Sequence, residues 1–110
     1  MNKAVFIGRV IENLELKQTQ NSNVCNIKMA VQDGEKDSTF ITITTYGKIA
    51  ENCAKYLEKG CTIASMCKVK NNNYTDKNGN KIYTYKFIAE KVTFISRAKH
   101  STDVESLPFE

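Results

Sequence analysis

The sequence has no tryptophan, one proline (Pro108) and one histidine (His100) in 110 residues. Long apolar runs are missing as well. The longest, Ala4 to Ile7, falls far short of the ~20 residues that a membrane-spanning helix needs. Arg9 breaks what would have to be the apolar part of a secretory signal, so a cytoplasmic protein without a membrane partner is expected. Cys25, Cys53, Cys61 and Cys67 are separated by 28, 8 and 6 positions, and none of these gaps makes a C-x-x-C pair. Neither a zinc knuckle nor a thioredoxin-type redox site is therefore encoded. The cysteines read as small core residues in a reducing compartment, although the spacing of Cys53 and Cys61 leaves a bridge open. His100 lies in a polar stretch near the end, where a Cys–His nucleophilic pair would require that stretch to dock rigidly. There is no Gly-rich phosphate loop and no carboxylate cluster with metal-binding spacing. No enzymatic activity, metal or cofactor is expected.

What the chain does have is enough apolar material, 41%, for one modest core. With 16 Lys plus Arg against 12 Asp plus Glu it is mildly basic, at a net +4. The charge is uneven. Residues 1–95 hold 14 basic and 9 acidic side chains (14 − 9 = +5), whereas residues 101–110 hold Asp103, Glu105 and Glu110 and no base. A basic body with an acidic end permits a polyanion as partner without proving one.

Strand-like segments dominate. Residues 3–11 are rich in β-branched and aromatic types, with Gly8 marking a bulge or bend. Val24 to Val31 alternates, with Cys25, Ile27, Met29 and Val31 on one face and Lys28 on the other. Asp33-Gly34 signals a tight turn. Residues 38–46 alternate again, setting Ile41, Ile43 and Thr45 against Phe40, Thr42, Thr44 and Tyr46. The four-residue spacing of Ile49, Cys53 and Leu57 predicts a helix over Lys48 to Lys59, ended by Gly60 as a left-handed terminator. Residues 61–74 alternate with Ile63, Ser65, Cys67 and Val69 opposite Met66, Lys68 and Lys70. A hairpin loop with Asn78-Gly79 at its tip leads into a last strand from Lys81 to about Ile95. Three strands, a helix and two strands is the order of a five-stranded OB barrel, an all-β fold with one short helix between the third and fourth strands. Small α+β sandwiches share that order.

The alternation carries a functional expectation. If the isoleucines point inward, Phe40, Tyr46 and Tyr74 stand on the solvent side among Lys28, Lys68 and Lys70. Unpaired bases stack on such rings for about 1–3 kcal/mol each, tolerantly of sequence. Lysines neutralise the backbone phosphates, with a salt slope of about −0.7 per contact on a single strand. Against this, strand aromatics usually pack in cores and scattered lysines usually only solvate a surface. A bulge near Gly8 or in the fourth strand would invert the parity.

The chain resembles the bacterial and bacteriophage single-stranded DNA-binding proteins. The resemblance runs from Met1-Asn2-Lys3 through Ile7-Gly8-Arg9 and Leu14-Glu15-Leu16, read as the end of the first strand. It is strongest in Tyr46-Gly47-Lys48, Ala50-Glu51-Asn52 and Tyr56-Leu57-Glu58-Lys59-Gly60, and extends to Tyr74-Thr75-Asp76-Lys77-Asn78-Gly79 and Tyr83. It implies an OB domain over residues 1–95 that wraps single-stranded DNA in replication, recombination or repair. Phe40, Tyr46 and Tyr74 fall at stacking positions. Lys48, Lys59 and Lys70 fall at phosphate-contacting positions, and Lys28 and Lys68, outward by parity, together with Lys77 are expected to join them. It also implies a homo-oligomer, a tetramer or else a dimer, with first strands pairing between subunits. Residues 96–110 match an acidic tail that recruits replication and repair proteins, through Asp103, Glu105, Leu107, Pro108 and Phe109. Location would be at the nucleoid, or in a host cytoplasm for a phage protein.

Departures from the family pattern suggest a compact phage or mobile-element version with weaker binding. Tryptophan is absent, Asn71-Asn72-Asn73 replaces a basic position, Cys67 a common glycine, and the turn from Asp33 to Asp37 is short. Glu110 follows the Phe that normally ends the chain. Two other readings stand beside this one, a protein-interaction adaptor of a replication-restart complex and an RNA-binding OB module.

Overall fold

A closed ring of five strands forms when one strand is shared between two edges, and here the first strand does this. The structure is a computed structural model that describes residues 1–97; of the expected tail (96–110), Ser96 still belongs to the last strand, and residues 98–110, including His100, lie outside the described residues. β1 (Ala4–Val10) pairs antiparallel with β5 (Thr62–Asn71) from Ala4↔Cys67 to Arg9↔Thr62. Its last residues then pair with β3 (Asn23–Asp33) at Arg9↔Ala30 and Val10↔Met29. Gly8 stands at this crossover. A Cβ there would lie 2.5 Å from the Ala30 carbonyl oxygen and 3.0 Å from the Met29 methyl, so only a glycine lets the two strands meet. The β1–β5 register is unbroken, and the bulge expected at Gly8 is instead a close approach.

The remaining seams close the barrel. β3 and β4 (Asp37–Tyr46) form a continuous ladder from Val24↔Tyr46 to Asp33↔Asp37, joined by three residues with Gly34 at φ +86°. The short turn expected there is present. β4 meets β8 (Tyr85–Ser96) in parallel at Ile43↔Phe87 and Thr44↔Ile88, and β8 runs antiparallel to β5. Sequence periodicity gave no hint of β2 (Lys17–Gln18), two residues paired to Val24 and Asn23. Leu14-Glu15-Leu16 is not the end of the first strand. β1 stops at Val10, and Leu14 and Leu16 pack against the core from the connecting loop.

The predicted fourth and fifth strands are each interrupted. β6 (Tyr74–Thr75) and β7 (Lys81–Ile82) make a separate two-stranded arm. Asn72 and Asn73 break the long strand by binding Thr84: its N–H donates to Asn73 Oδ1 (3.0 Å) and its hydroxyl to the Asn72 carbonyl (3.0 Å). At the arm's tip Asp76 Oδ1 accepts from the N–H groups of Asn78 and Asn80, each at 2.9 Å, and Gly79 takes φ +85°.

α1 (Gly47–Tyr56) is shorter than predicted. Leu57 is already extended (φ −96°, ψ 149°) and packs against the core. Gly60 (φ +99°) does not cap the helix. It shapes the following turn, where its N–H donates to the Val10 carbonyl at 2.8 Å and so ties that turn to β1. The core holds Val10, Ile27, Met29, Ile43, Ala50, Ile63 and Ala89 together with all four cysteines. Those cysteines are free thiols, including Cys53 and Cys61, for which the spacing had left a bridge open. Burial pushes the Cys53 thiol from 9.0 up to about 11. Thr45, the buried polar member of β4, donates its hydroxyl to the Cys25 carbonyl at 2.7 Å.

Candidate nucleic-acid interface

Strand alternation sorts the barrel wall into a closed inner face and an outer face free to carry chemistry. In β4, Ile43 and Thr45 are fully buried, which turns Phe40 and Tyr46 outward at 62% and 38% exposure. In β3, buried Cys25, Ile27 and Met29 leave Lys28 outside. In β5, buried Ile63, Ser65 and Cys67 leave Lys68 and Lys70 outside. The feared parity inversion does not occur in β5. Both register shifts of the β5–β8 pair put their extra residue in β8, at Glu90 and Ile95, and β5 keeps its alternation through Cys67.

Register then shows which outward groups are neighbours. Phe40 sits opposite Ala30, and Lys28 opposite Thr42, so ring and ammonium are diagonal partners on one face of the ribbon. Lys70 faces Lys86 and Lys68 faces Ile88 across the β5–β8 seam. Lys86 reaches across the parallel seam to Tyr46: its Nζ is 3.4 Å from the phenol oxygen, to which it donates, and 6.0 Å from the ring centroid. Tyr46, Lys86 and Lys70 therefore form one group. Among the described residues, the outward positions Asn26, Lys28, Ala30, Phe40, Thr42, Thr44, Tyr46, Lys86, Ile88, Lys68 and Lys70 make an arc over β3, β4, β8 and β5, and the exposed carboxylate of Glu90 in β8 borders it. Phe40 and Tyr46 are six residues apart on one strand, about 20 Å at about 3.4 Å per residue, so they are separate platforms.

The other expected residues are more scattered. Tyr74 is 56% exposed on the arm, opposite Ile82 and just past the Lys70 end of β5. Lys77 is exposed near the arm's tip. Lys48, in the first turn of α1, follows Tyr46 by two positions. Lys59 does not join the group. It lies in the turn before β5, at the opposite end of that strand from Lys68 and Lys70. Three residues of the outer surface were missed as site candidates: Lys86, and the exposed Tyr83 and Tyr85 between the arm and β8. The alternation Lys86-Phe87-Ile88-Ala89 carries the same parity signal as β4 and would have placed Lys86 outside.

A second outward patch differs in kind. Val5 and Ile7 of β1 are 64% and 58% exposed, and Val5 faces the exposed Met66 across the β1–β5 seam. Among the described residues no group of three or more His, Cys, Asp or Glu could hold a metal ion, and no helix is long and apolar enough to cross a membrane.

The closed ring of five strands, with one helix between the third and fourth long strands, is an OB fold, as the sequence order predicted. The Single-strand binding protein family matches residues 1–95. The single-stranded DNA-binding protein 1 of Clostridium acetobutylicum is 35% identical over 109 residues, covering 92% of this chain and 99% of that protein. A Staphylococcus aureus (strain Mu50) single-stranded DNA-binding protein 1 is 32% identical over 112 residues, covering 96% of this chain and 71% of its own. A crystal structure of mitochondrial single-stranded DNA binding protein from S. cerevisiae superposes with a TM-score of 0.75 at 17% identity, over 86% of this chain and 95% of that one. The chain belongs to the single-strand binding protein family, whose members are DNA-binding proteins and not enzymes.

Proposed function

We propose that this chain binds single-stranded DNA with little regard to sequence, laying the strand over the outer arc of β3, β4, β8 and β5. The observation that carries the reading is the interleaving of exposed Phe40 and Tyr46 with Lys28, Lys68, Lys70 and Lys86 on one outer face. Tyr46 and Phe40 stack with bases, Tyr74 extends the track onto the arm, and the lysines meet phosphates between them. Lys48 and Lys77 flank the same track. Lys59 is the weakest of the expected phosphate contacts, because β5 holds it away from the others. A rigid barrel suits this role, since platforms fixed by the sheet need little ordering when the strand arrives.

The chain forms a homo-oligomer through β1 in this reading. Among the described residues, one edge of β1 has no strand partner along Ala4–Gly8, and its outward Val5 and Ile7 adjoin Met66 in an aliphatic patch. Residues 1–95 act as the binding domain and 96–110 as the recruiting tail for replication and repair proteins. The acidic residues and the Leu107-Pro108-Phe109 anchor suit an apolar pocket rimmed by bases.

A gel shift comparing single- and double-stranded oligonucleotides at two salt concentrations tests the reading, beside the mass in solution. Preference for the single strand, weakening as salt rises, is expected. Equal affinity for both forms would remove the base-stacking mechanism, and a monomeric mass would remove the β1 interface.

A further inference from the structure

The segment before β1 is tied down at two places that the fold alone does not require. The Asn2 side chain brackets Val69: its Nδ2 donates to the Val69 carbonyl at 2.8 Å, and the Val69 N–H donates to its Oδ1 at 3.0 Å. A side-chain amide thus continues the β1–β5 ladder past Ala4↔Cys67 and lays the segment beside Lys68 and Lys70. Next to it, Lys3 Nζ donates to Glu90 Oε1 in the only ion pair among the described residues. Glu90 is the extra residue of a β8 register shift, since Met66 faces Lys91 and Cys67 faces Ala89. Without a cross-strand partner, its carboxylate stands outside, next to the arc. The hydrogen bond from Lys3, with a smaller contribution from Lys68, holds this carboxyl below the usual carboxylate range, so it is charged at neutral pH.

We infer that Lys3 is a positioning residue of the DNA surface: it occupies Glu90, so that this carboxylate does not turn to Lys68 and cancel a charge meant for phosphate. The inference rests on the binding reading above. Asn2 serves it by fixing the segment from which Lys3 reaches. The pair is exposed and contributes little to folding, which separates this role from a structural one.

A double-mutant cycle tests it, with oligo-dT affinity read by tyrosine fluorescence over a salt series for the wild type, K3A, E90Q and K3A/E90Q. K3A is expected to weaken binding about twofold to fivefold, the upper range for an exposed charge pair. E90Q should bind at least as tightly as the wild type, and adding K3A to E90Q should cost little. Equal losses from K3A with and without E90Q would mean that Lys3 meets DNA directly, overturning the masking role. E90Q weakening binding as much as K3A would reduce the pair to a brace, with the same consequence. No oligo-dT binding by the wild type would instead overturn the binding reading itself.

Discussion

Two stretches of the outer wall share one inner wall and differ in everything else. Over β3, β4, β8 and β5 the outward residues are mostly rings, lysines and small polar groups, with Ala30 and Ile88 among them and Glu90 at the border. Over β1 and its seam with β5 they are Val5, Ile7 and Met66. Both stretches cover the same Ile27, Ile43, Ile63 and Cys67 interior. The alternation of a strand fixes half of its residues for packing and leaves the other half free. What those free positions carry separates a surface suited to a wet, charged ligand from one that gains by being covered.

The comparison can be broken from the inside first. Ile43→Ala should cost about 2–5 kcal/mol of stability, because the site is closed on all sides, and a denaturant melt measures it. Next come the rings. Tyr46→Ala and Phe40→Ala should each weaken oligo-dT binding by about 1–3 kcal/mol while leaving the melt nearly unchanged, as read by titration and calorimetry. On the aliphatic patch, Ile7→Asp should lower the mass in solution and leave the melt of the dissociated protomer intact, which light scattering follows. Lys86→Ala should have a smaller effect, flattening the slope of log affinity against log salt by about 0.7. A separate effect is chemical. With its thiol raised to about 11, Cys53 stays neutral in the folded protein while an unfolded thiol of 9.0 ionises. Stability from this group is therefore full below pH 9 and lost as pH rises toward 11, which melts at pH 8 and 10.5 should show.

Much of this division was legible in the sequence. Strict alternation in residues 24–31, 38–46 and 61–70 placed Phe40, Tyr46, Lys28, Lys68 and Lys70 outside before any coordinates, because buried β-branched residues leave little choice of face. Long-range pairing was not legible. Nothing local says that β1 shares its edges between β5 and β3, or that β4 meets β8 in parallel. The early end of α1 follows from Leu57 turning into the core, a tertiary demand that outweighs helical periodicity. The β8 bulges that strand Glu90 outside depend on matching a twelve-residue strand to a ten-residue one.

The central claim, that bases meet the outward rings, is tested most directly by comparing wild-type affinity for oligo-dT with affinity for an abasic strand of the same length and charge. The account predicts that the abasic strand binds more weakly by about 1–3 kcal/mol for each base that stacks, with an unchanged salt slope. Equal affinity for the two strands would show that the lysines alone hold the polymer, and would contradict the role given to Phe40, Tyr46 and Tyr74.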